Sequence, residues 1–457
     1  MTDTIYALAS ARGVAGVAVV RVSGNRALEG LKSISDRSAF PYRKAILCKL
    51  KNKNLKRHVS RETSNDQDQI LDHALVLAFE SPHSYTGEDV VEYHLHGGIA
   101  VVQGVLDALS RCDGHRMAEP GEFTRRAFEN GKMDLTEAEA VADLIHAETQ
   151  LQKEQALGQM EGALRHLYDD IRERITKILA YVEAELEFPD EDLPVDVLET
   201  IGPQIQKLLT DIGQHLNDNR RGERLRHGIR VAVIGAPNAG KSSLVNALTQ
   251  RDIAIVSDIA GTTRDVIEAH LDIAGYPVIL SDTAGLRPDQ IGEEGQDSIE
   301  SEGIKRALKI AHDADIRVIL YDGMSDHLDP YSLELEQQAH TIPVMNKVDT
   351  SIQLKHPKNP ICISVHENKG IKEFIDLLTE EIKTLIGTNE VPALTRQRHR
   401  DALTEACDAL ERCLKAPLPE LTAEDLRLAI RYIGRITGKV DIEDLLDVVF
   451  RDFCIGK

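Results

Sequence analysis

The sequence predicts a multidomain α/β plus all-α chain: an N-terminal α/β domain, then a helical bundle interrupted by an inserted second α/β domain. Three observations carry that expectation. Short β-branched runs punctuated by glycine, proline and charge fill the first 130 residues. A stretch after Asp134 runs almost without internal glycine or proline. From Ile229 to about Leu385 strand-like and helix-like segments alternate, and helical texture then returns. A length of 457 residues suits roughly three domains of ~150 residues each.

In chain order, "GVAGVAVVRVSG" and "ILDHALVLAFE" read as strands, and "DTIYALAS" does so more weakly, because β-branched residues dominate between turn formers. Beyond Asp134, Leu164, Leu167, Ile171, Ile175, Ile178, Val182 and Leu186 recur at three- and four-residue steps. The stretch therefore reads as one long amphipathic helix stopped by "FPDEDLP". A further helical run reaches about Asn217, and "NDNRRGERLRHG" reads as a polar linker. The alternation that follows is the pattern of a parallel sheet wrapped by helices. Past "VPALTRQRHR", Ala402, Leu403, Ala406, Leu410 and Leu414 share a helical face, and Thr422 with Asp425 three residues on reads as a capping box opening another segment. Neither helical piece has evident partners for its apolar face, so the two are expected to form one bundle. The expected domains are 1–130, 131–225, 226–388 (inserted) and 389–457.

Hydrophobic and charged contents of 42% and 28% are those of ordinary globular protein. A formal net charge of −21 argues against general coating of nucleic acid, so any polyanion must meet local basic patches. Arg43 to Arg61, Arg220 to Arg230 and Arg396 to Arg400 are the candidates, each read either as such a patch or as a solvated loop face. Six cysteines without a C-x-x-C pair point away from zinc and disulfide frameworks and toward a reducing cytoplasm. "MTDTIYALAS" has no secretory or transit pattern, and no run approaches ~18 apolar residues, so no membrane partner is expected.

The inserted domain carries a phosphate-binding signature. "VAVIGAPNAGKSSL" is a strand, a glycine-rich turn and a helix start matching G-x-x-x-x-G-K-[ST]. Backbone N–H groups around Asn238, Ala239 and Gly240 would close on phosphate oxygens, Lys241 would reach the β- and γ-phosphates, and Ser242, followed by Ser243, would bind Mg²⁺. "DIAGTTRD" (Asp258, Ile259, Ala260, Gly261, Thr262, Thr263) supplies Thr263 to the Mg²⁺ shell. "LSDTAG" supplies Asp282, then Thr283, Ala284 and Gly285, whose N–H can sense the γ-phosphate. "MNKVD" supplies Asn346, Lys347 and Asp349, and "ISVHENKG" places Ser364 beside the base. The Asp349 carboxylate can accept from guanine N1–H and the 2-amino group together, which adenine cannot offer. A Ras-like GTP-binding domain follows.

One residue is conspicuous by substitution. Leu286 occupies the position where Ras-like proteins keep a water-orienting glutamine, and no arginine finger is evident. Asn238 offers two readings: its amide either seats a K⁺ ion, together with carbonyls of "SDIAGT", or makes a turn hydrogen bond. A K⁺ there would stand in for an arginine finger, an effect worth ~10³–10⁵ in rate.

At this point the chain resembles the MnmE (also called TrmE) family of tRNA-modifying GTPases. The resemblance runs through "SYTGEDVVEYHLHGG", "PGEFTRRAFENGKMDLTEAEAVADLI", "NAGKSSL", "DIAGTTRDV" and the terminal "FCIGK". It implies a homodimer built on N-terminal domains that bind a 5-formyl-tetrahydrofolate-like one-carbon donor. It further implies a heterotetramer with an FAD-containing partner, MnmG, that installs an aminomethyl-type group on C5 of the wobble uridine of tRNA. Family K⁺ ligands map onto Asn238, Ser257, Ile259 and Thr262, Mg²⁺ ligands onto Ser242 and Thr263, and folate contacts onto Arg21, Glu92, Lys132 and Lys457. The family's water-positioning glutamate maps onto Glu300 in "DSIESEGIKRA", with Glu293 and Glu294 in the longer "LRPDQIGEEGQ" as competitors. Three positions depart from the family pattern: "SARGVAG" stands for Pro-Pro-Gly, Val365 for the alanine of "SA", and Ser257 for a threonine.

Cys454, three residues before the last, is a poor prenylation site because Gly456 is not aliphatic and Lys457 is the final residue. It reads either as a packed helix-end cysteine or, by the resemblance, as a catalytic residue of the modification. A rival of another class is a ribosome-assembly GTPase, an RNA-binding switch without modification chemistry. That reading needs an RNA-binding module such as a KH domain with its G-x-x-G loop, and none follows the inserted domain.

Overall fold

A computed structural model describes residues 3–52, 69–187, 197–251, 253–255, 268–282, 309–328, 330–350, 354–387, 392–440, 443–451, 453 and 455–456. The chain divides into two compact units, Met1–Ala142 with Gly434–Lys457, and Asp143–Ile433.

The first unit is built on a six-stranded sheet of β1 (Thr4–Leu8), β2 (Ala15–Ser23), β3 (Ile46–Asn52), β4 (Gln69–Phe79), β5 (Val90–Gly97) and β6 (His115–Met117), in the order β3-β4-β5-β2-β1-β6. The run "ILDHALVLAFE" is a strand as predicted, and burial alternates along β4 with the two-residue strand period. Val20, Val22, Ala74, Val76, Tyr93 and Leu95 pack on one face against Leu31 of α1 (Ala27–Ile34) and Val105 and Leu109 of α2 (Ile99–Leu109). A smaller cluster of Ile5, Ala7, Ala118 and Phe123 has Tyr85 against it, Phe123 lying on α3 (Glu122–Glu129). Arg126 of α3 is 1% exposed and is ion-paired to Asp3, Glu88 and Glu122. A buried charge persists only when paired. Here the pairing also ties down the turn before β5, because Glu88 accepts from Ser23 Oγ at 2.7 Å.

The presumed single helix after Asp134 is three: α4 (Leu135–Ile145), α5 (Gln150–Met160) and α6 (Ala163–Glu187). Two local signals break it. Thr149 and Gln152 form a reciprocal capping box that starts α5 afresh, and Gly162 turns the chain at φ +87°. The predicted apolar stripe of α6 is buried at Leu164, Ile171, Ile175, Ile178 and Val182.

In the second unit α6 packs on α7 (Val197–Leu216). The polar "NRRGERLRHG" linker contains a helix, α8 (Arg221–His227), ahead of β7 (Ile229–Ile234) and α9 (Lys241–Thr249). The inserted domain continues through β8 (Glu268–Ile273), β9 (Tyr276–Asp282), β10 (Ile316–Asp322), α10 (Pro330–Leu335), β11 (Thr341–Asn346), β12 (Ile361–Cys362) and α11 (Ile371–Ile386). Its strand order is β12-β11-β10-β7-β9-β8, parallel except for the β8–β9 pair. Beyond it come α12 (Gln397–Cys413), which packs on α7, and α13 (Pro419–Thr437). Thr422 therefore lies inside a helix that starts at Pro419. Proline suits that first position because its missing N–H has no intrahelical acceptor there. Asp425 pairs with Arg412 instead of capping.

Both connections into the inserted domain are ion-paired, so two of the three basic stretches are not solvated faces. Asp143 accepts from Arg226 on the way in and from Arg396 on the way out, both at 2.8 Å. Arg400 pairs with Asp218 and Glu223, and Arg224 donates to Asp315 at 2.8 Å.

After α13 the chain rejoins the first unit. From α14 (Glu443–Arg451) onward, Leu446, Phe450 and Phe453 pack on Leu135 and Ala138, and Ile455 bridges to Pro120. No helix among the described residues is long and apolar enough to cross a membrane.

Tyr168 of α6 faces two histidines, His215 and His399, and its hydroxyl lies 3.2 Å from His215 Nε2. Burial pulls His215 down to about 4. Its unfolded value lies near 6.5, so the unfolded chain binds the extra proton between these values, and folding stability falls as pH drops through that window. Lowering pH from 7.5 to 5.0 should cost wild type about 2 kcal/mol more than a His215→Gln variant. Urea melts at the two pH values check this, and equal losses in both proteins would refute it.

Candidate nucleotide site and N-terminal cleft

The loop after β7 is shaped by close approaches that only glycine permits. A Cβ on Gly235 would run into the Leu320 carbonyl, and one on Gly240, at φ +96°, into Asn346 Nδ2. The second approach exists because Asn346 reaches across from the end of β11. Its Nδ2 donates to the Ala239 carbonyl at 2.9 Å, and its Oδ1 accepts from Val365 N at 3.3 Å. Asn238 holds a left-handed φ of +65°, which asparagine tolerates better than most residues. It is exposed, and its side chain makes no hydrogen bond among the described residues.

Lys241 opens α9, and its Nζ donates to the carbonyls of Gly235 at 2.8 Å and Ala236 at 3.0 Å. The ammonium is thereby held over the loop it would share with phosphate. Ser242 and Ser243 occupy the same first turn, at the helix N-terminus, whose dipole favours anions. Asp282 ends β9 in register with Val233 of β7. Asp349 is exposed, and a hydrogen bond from Ser364 holds its carboxyl below the ordinary aspartate value, so it stays an acceptor. Ser364 is itself buried and accepts from Glu367 N at 3.1 Å. Lys347 pairs with Asp322 at 2.6 Å.

A second candidate site lies in the first unit. Arg21 on β2 and Glu92 on β5 are cross-strand partners, with Arg21 Nε donating to Glu92 Oε1 at 3.0 Å. The guanidinium stands 5.0 Å from the centre of the Tyr85 ring and 5.9 Å from that of Phe123, a stacked cation. Tyr85 and Glu92, with Arg43, Leu77, Phe79 and His83, line a cleft of about 450 Å³. Lys132 Nζ donates to the Pro82 carbonyl at 3.0 Å, on the same turn as His83 and Tyr85. The cleft combines an apolar, aromatic wall with one carboxylate and flanking cations, which suits a flat heterocycle bearing an anionic tail.

Comparison with known proteins decides the lineage. Residues 4–132 match the family model "GTP-binding protein TrmE N-terminus", and residues 135–454 match "MnmE helical domain". The chain is 49% identical to the tRNA modification GTPase MnmE of Parvibaculum lavamentivorans, over 100% of both chains. It is 48% identical to that of Rhodospirillum rubrum, over 100% of this chain and 99% of the other, and 44% identical to that of Paramagnetospirillum magneticum, over 100% of both.

The chain belongs to the MnmE family.

Of the residues singled out from sequence, the structure brings Asn238, Ala239, Gly240, Lys241, Ser242 and Ser243 together with Asn346, Lys347, Asp349 and Ser364 at the C-terminal edge of the inserted sheet. It joins Arg21 to Glu92 and sets Lys132 on the adjacent turn. Ser257, Asp258, Ile259, Ala260, Gly261, Thr262, Thr263, Thr283, Ala284, Gly285, Glu293, Glu294, Glu300, Cys454 and Lys457 lie outside the described residues. Sequence reasoning missed Tyr85, although it sits inside the quoted "SYTGEDVVEYHLHGG". It also missed Arg43 as a cleft residue, and Asp322, whose signal was a carboxylate followed by glycine at a strand end.

In this MnmE family member a Gly240→Ala change should weaken GDP binding roughly 10–100-fold, from ~1–3 kcal/mol of backbone strain alone. Titration with a fluorescent GDP derivative measures it. Wild-type affinity would mean that the left-handed backbone at Gly240 imposes no such strain on the loop.

Proposed function

We propose that this chain is a K⁺-stimulated GTPase of tRNA modification that works with an FAD-dependent partner, MnmG. In this reading it adds an aminomethyl-type (carboxymethylaminomethyl) group to C5 of the wobble uridine, position 34, using a tetrahydrofolate one-carbon donor such as 5-formyl-tetrahydrofolate. GTP hydrolysis itself follows from family membership. The observation that carries the rest is kinship over the whole chain, 49% identity across both sequences, to a tRNA modification GTPase MnmE. The active form is read as a cytoplasmic homodimer, and with MnmG as a heterotetramer that engages tRNA.

The residues present fit this chemistry. Ser242 with Thr263 would hold Mg²⁺, and Asn238 with Ser257, Ile259 and Thr262 would hold K⁺. The exposed Asn238 amide, committed to no described neighbour, supports the K⁺ assignment. A bound K⁺ would supply the positive charge that an arginine finger gives elsewhere. Lys241 binds phosphate, Asp349 and Ser364 select guanine, and Glu300 orients the attacking water, which Leu286 cannot. In the N-terminal cleft Glu92 would accept from the amidine-like edge of a pterin, with Arg21, Lys132 and Lys457 meeting the anionic tail. Closure of two nucleotide domains on GTP and their opening after hydrolysis would time the chemistry at the folate site, where Cys454 acts.

Nucleoside mass spectrometry on tRNA from a deletion strain tests the reading. Loss of the modified wobble uridine, restored by the wild-type gene, is expected, and normal modification without the gene would refute it. Restoration by Cys454→Ser would remove that residue's role alone. GTP turnover should be much faster in KCl than in NaCl, and Asn238→Ala should erase the difference. Equal rates in the two salts would defeat the cation assignment. Arg21→Ala and Glu92→Ala should each weaken binding of 5-formyl-tetrahydrofolate at least about tenfold while sparing GTP turnover.

A further inference from the structure

We propose that Asp322 is a positioning residue for guanine recognition, acting through Lys347. The proposal rests on the GTP-binding reading and deepens it. Asp322 is the last residue of β10 and lies in register with Asn346, the last residue of the neighbouring parallel strand β11. This is the C-terminal edge of the sheet, where open α/β sheets bind their ligands. Asp322 belongs to none of the sequence motifs that select the nucleotide.

Both carboxylate oxygens of Asp322 are engaged. Oδ2 accepts from Lys347 Nζ at 2.6 Å, and Oδ1 accepts from Met324 N at 3.0 Å. The second bond fixes the carboxylate, so it cannot swing away from the lysine without loosening the turn. That turn is joined to the guanine-recognition strand, since Gly323 N donates to the Asn346 carbonyl at 2.9 Å and Leu354 N donates to Gly323 O at 3.3 Å. Lys347 has a φ of +64°, uncommon for a lysine, which sets the direction in which its side chain leaves the strand. The pair is half-buried, at 33% and 21% exposure, and so is screened less than a surface ion pair.

A lysine stem is a four-carbon apolar strip ending in a charge, able to cover the face of a planar purine once its head is anchored. A free lysine would have to be ordered when the nucleotide arrives, whereas Asp322 holds it ordered beforehand. A pair that locked Lys347 out of the site would give the opposite sign.

The test uses the full-length chain and the Kd for a fluorescent GDP derivative. Asp322→Asn, which keeps the shape and removes the charge, should raise Kd about tenfold, and Asp322→Glu should recover part of that loss. In a Lys347→Met background Asp322→Asn should have no further effect, because no ammonium remains to be held. A folding defect would act equally in both backgrounds. An unchanged or lower Kd for Asp322→Asn, or the same loss in the Lys347→Met background, overturns the proposal while leaving GTP binding intact. Failure of the wild-type chain to bind GDP would sink the nucleotide reading, and this proposal with it.

Discussion

The nucleotide site depends on one buried carboxamide. Asn346 donates to the phosphate loop at Ala239 and accepts from the loop after β12 at Val365, so three segments far apart in sequence share one side chain. A buried amide left without partners would cost ~1–3 kcal/mol, which makes the three-way junction hold together or fail together. The absence of a side chain at Gly240 is the other half of the same constraint. Lys241 is folded over the same loop, donating to the Gly235 and Ala236 carbonyls.

The inserted domain is fastened to the helices by charge. Asp143 receives one arginine from each crossing strand of chain, Arg226 entering and Arg396 leaving, and Arg400 gathers Asp218 and Glu223 beside them. These side chains are largely buried, where breaking one partner costs far more than the pair gains over apolar packing. Geometry at this junction is therefore specified more than it is stabilised.

In the first unit a buried arginine plays the comparable part. Arg126, paired to Asp3, Glu88 and Glu122, fixes the turn that carries His83 and Tyr85, and Tyr85 in turn faces the Arg21–Glu92 pair. The cleft is thus assembled from Arg43, β4, β5 and that turn, while the C-terminal residues Phe453 and Ile455 return to the same unit.

The sequence by itself determined whatever depends on neighbours along the chain. The strand, turn and helix start of "VAVIGAPNAGKSSL", the strand at "ILDHALVLAFE" and the apolar stripe of α6 are all local patterns, since hydrogen-bond geometry and side-chain periodicity act over a few residues. The breaks at Thr149 and Gly162 were also local, but the strength of the surrounding helical pattern hid them. Only tertiary structure decided the rest. Strand register sets Arg21 beside Glu92, 71 residues away, and sheet order brings Asp322 to Lys347. Whether a basic run is a solvated face or a clasp depends on which carboxylates the fold delivers to it. Ion pairs act through space, at distances that no spacing along the chain encodes.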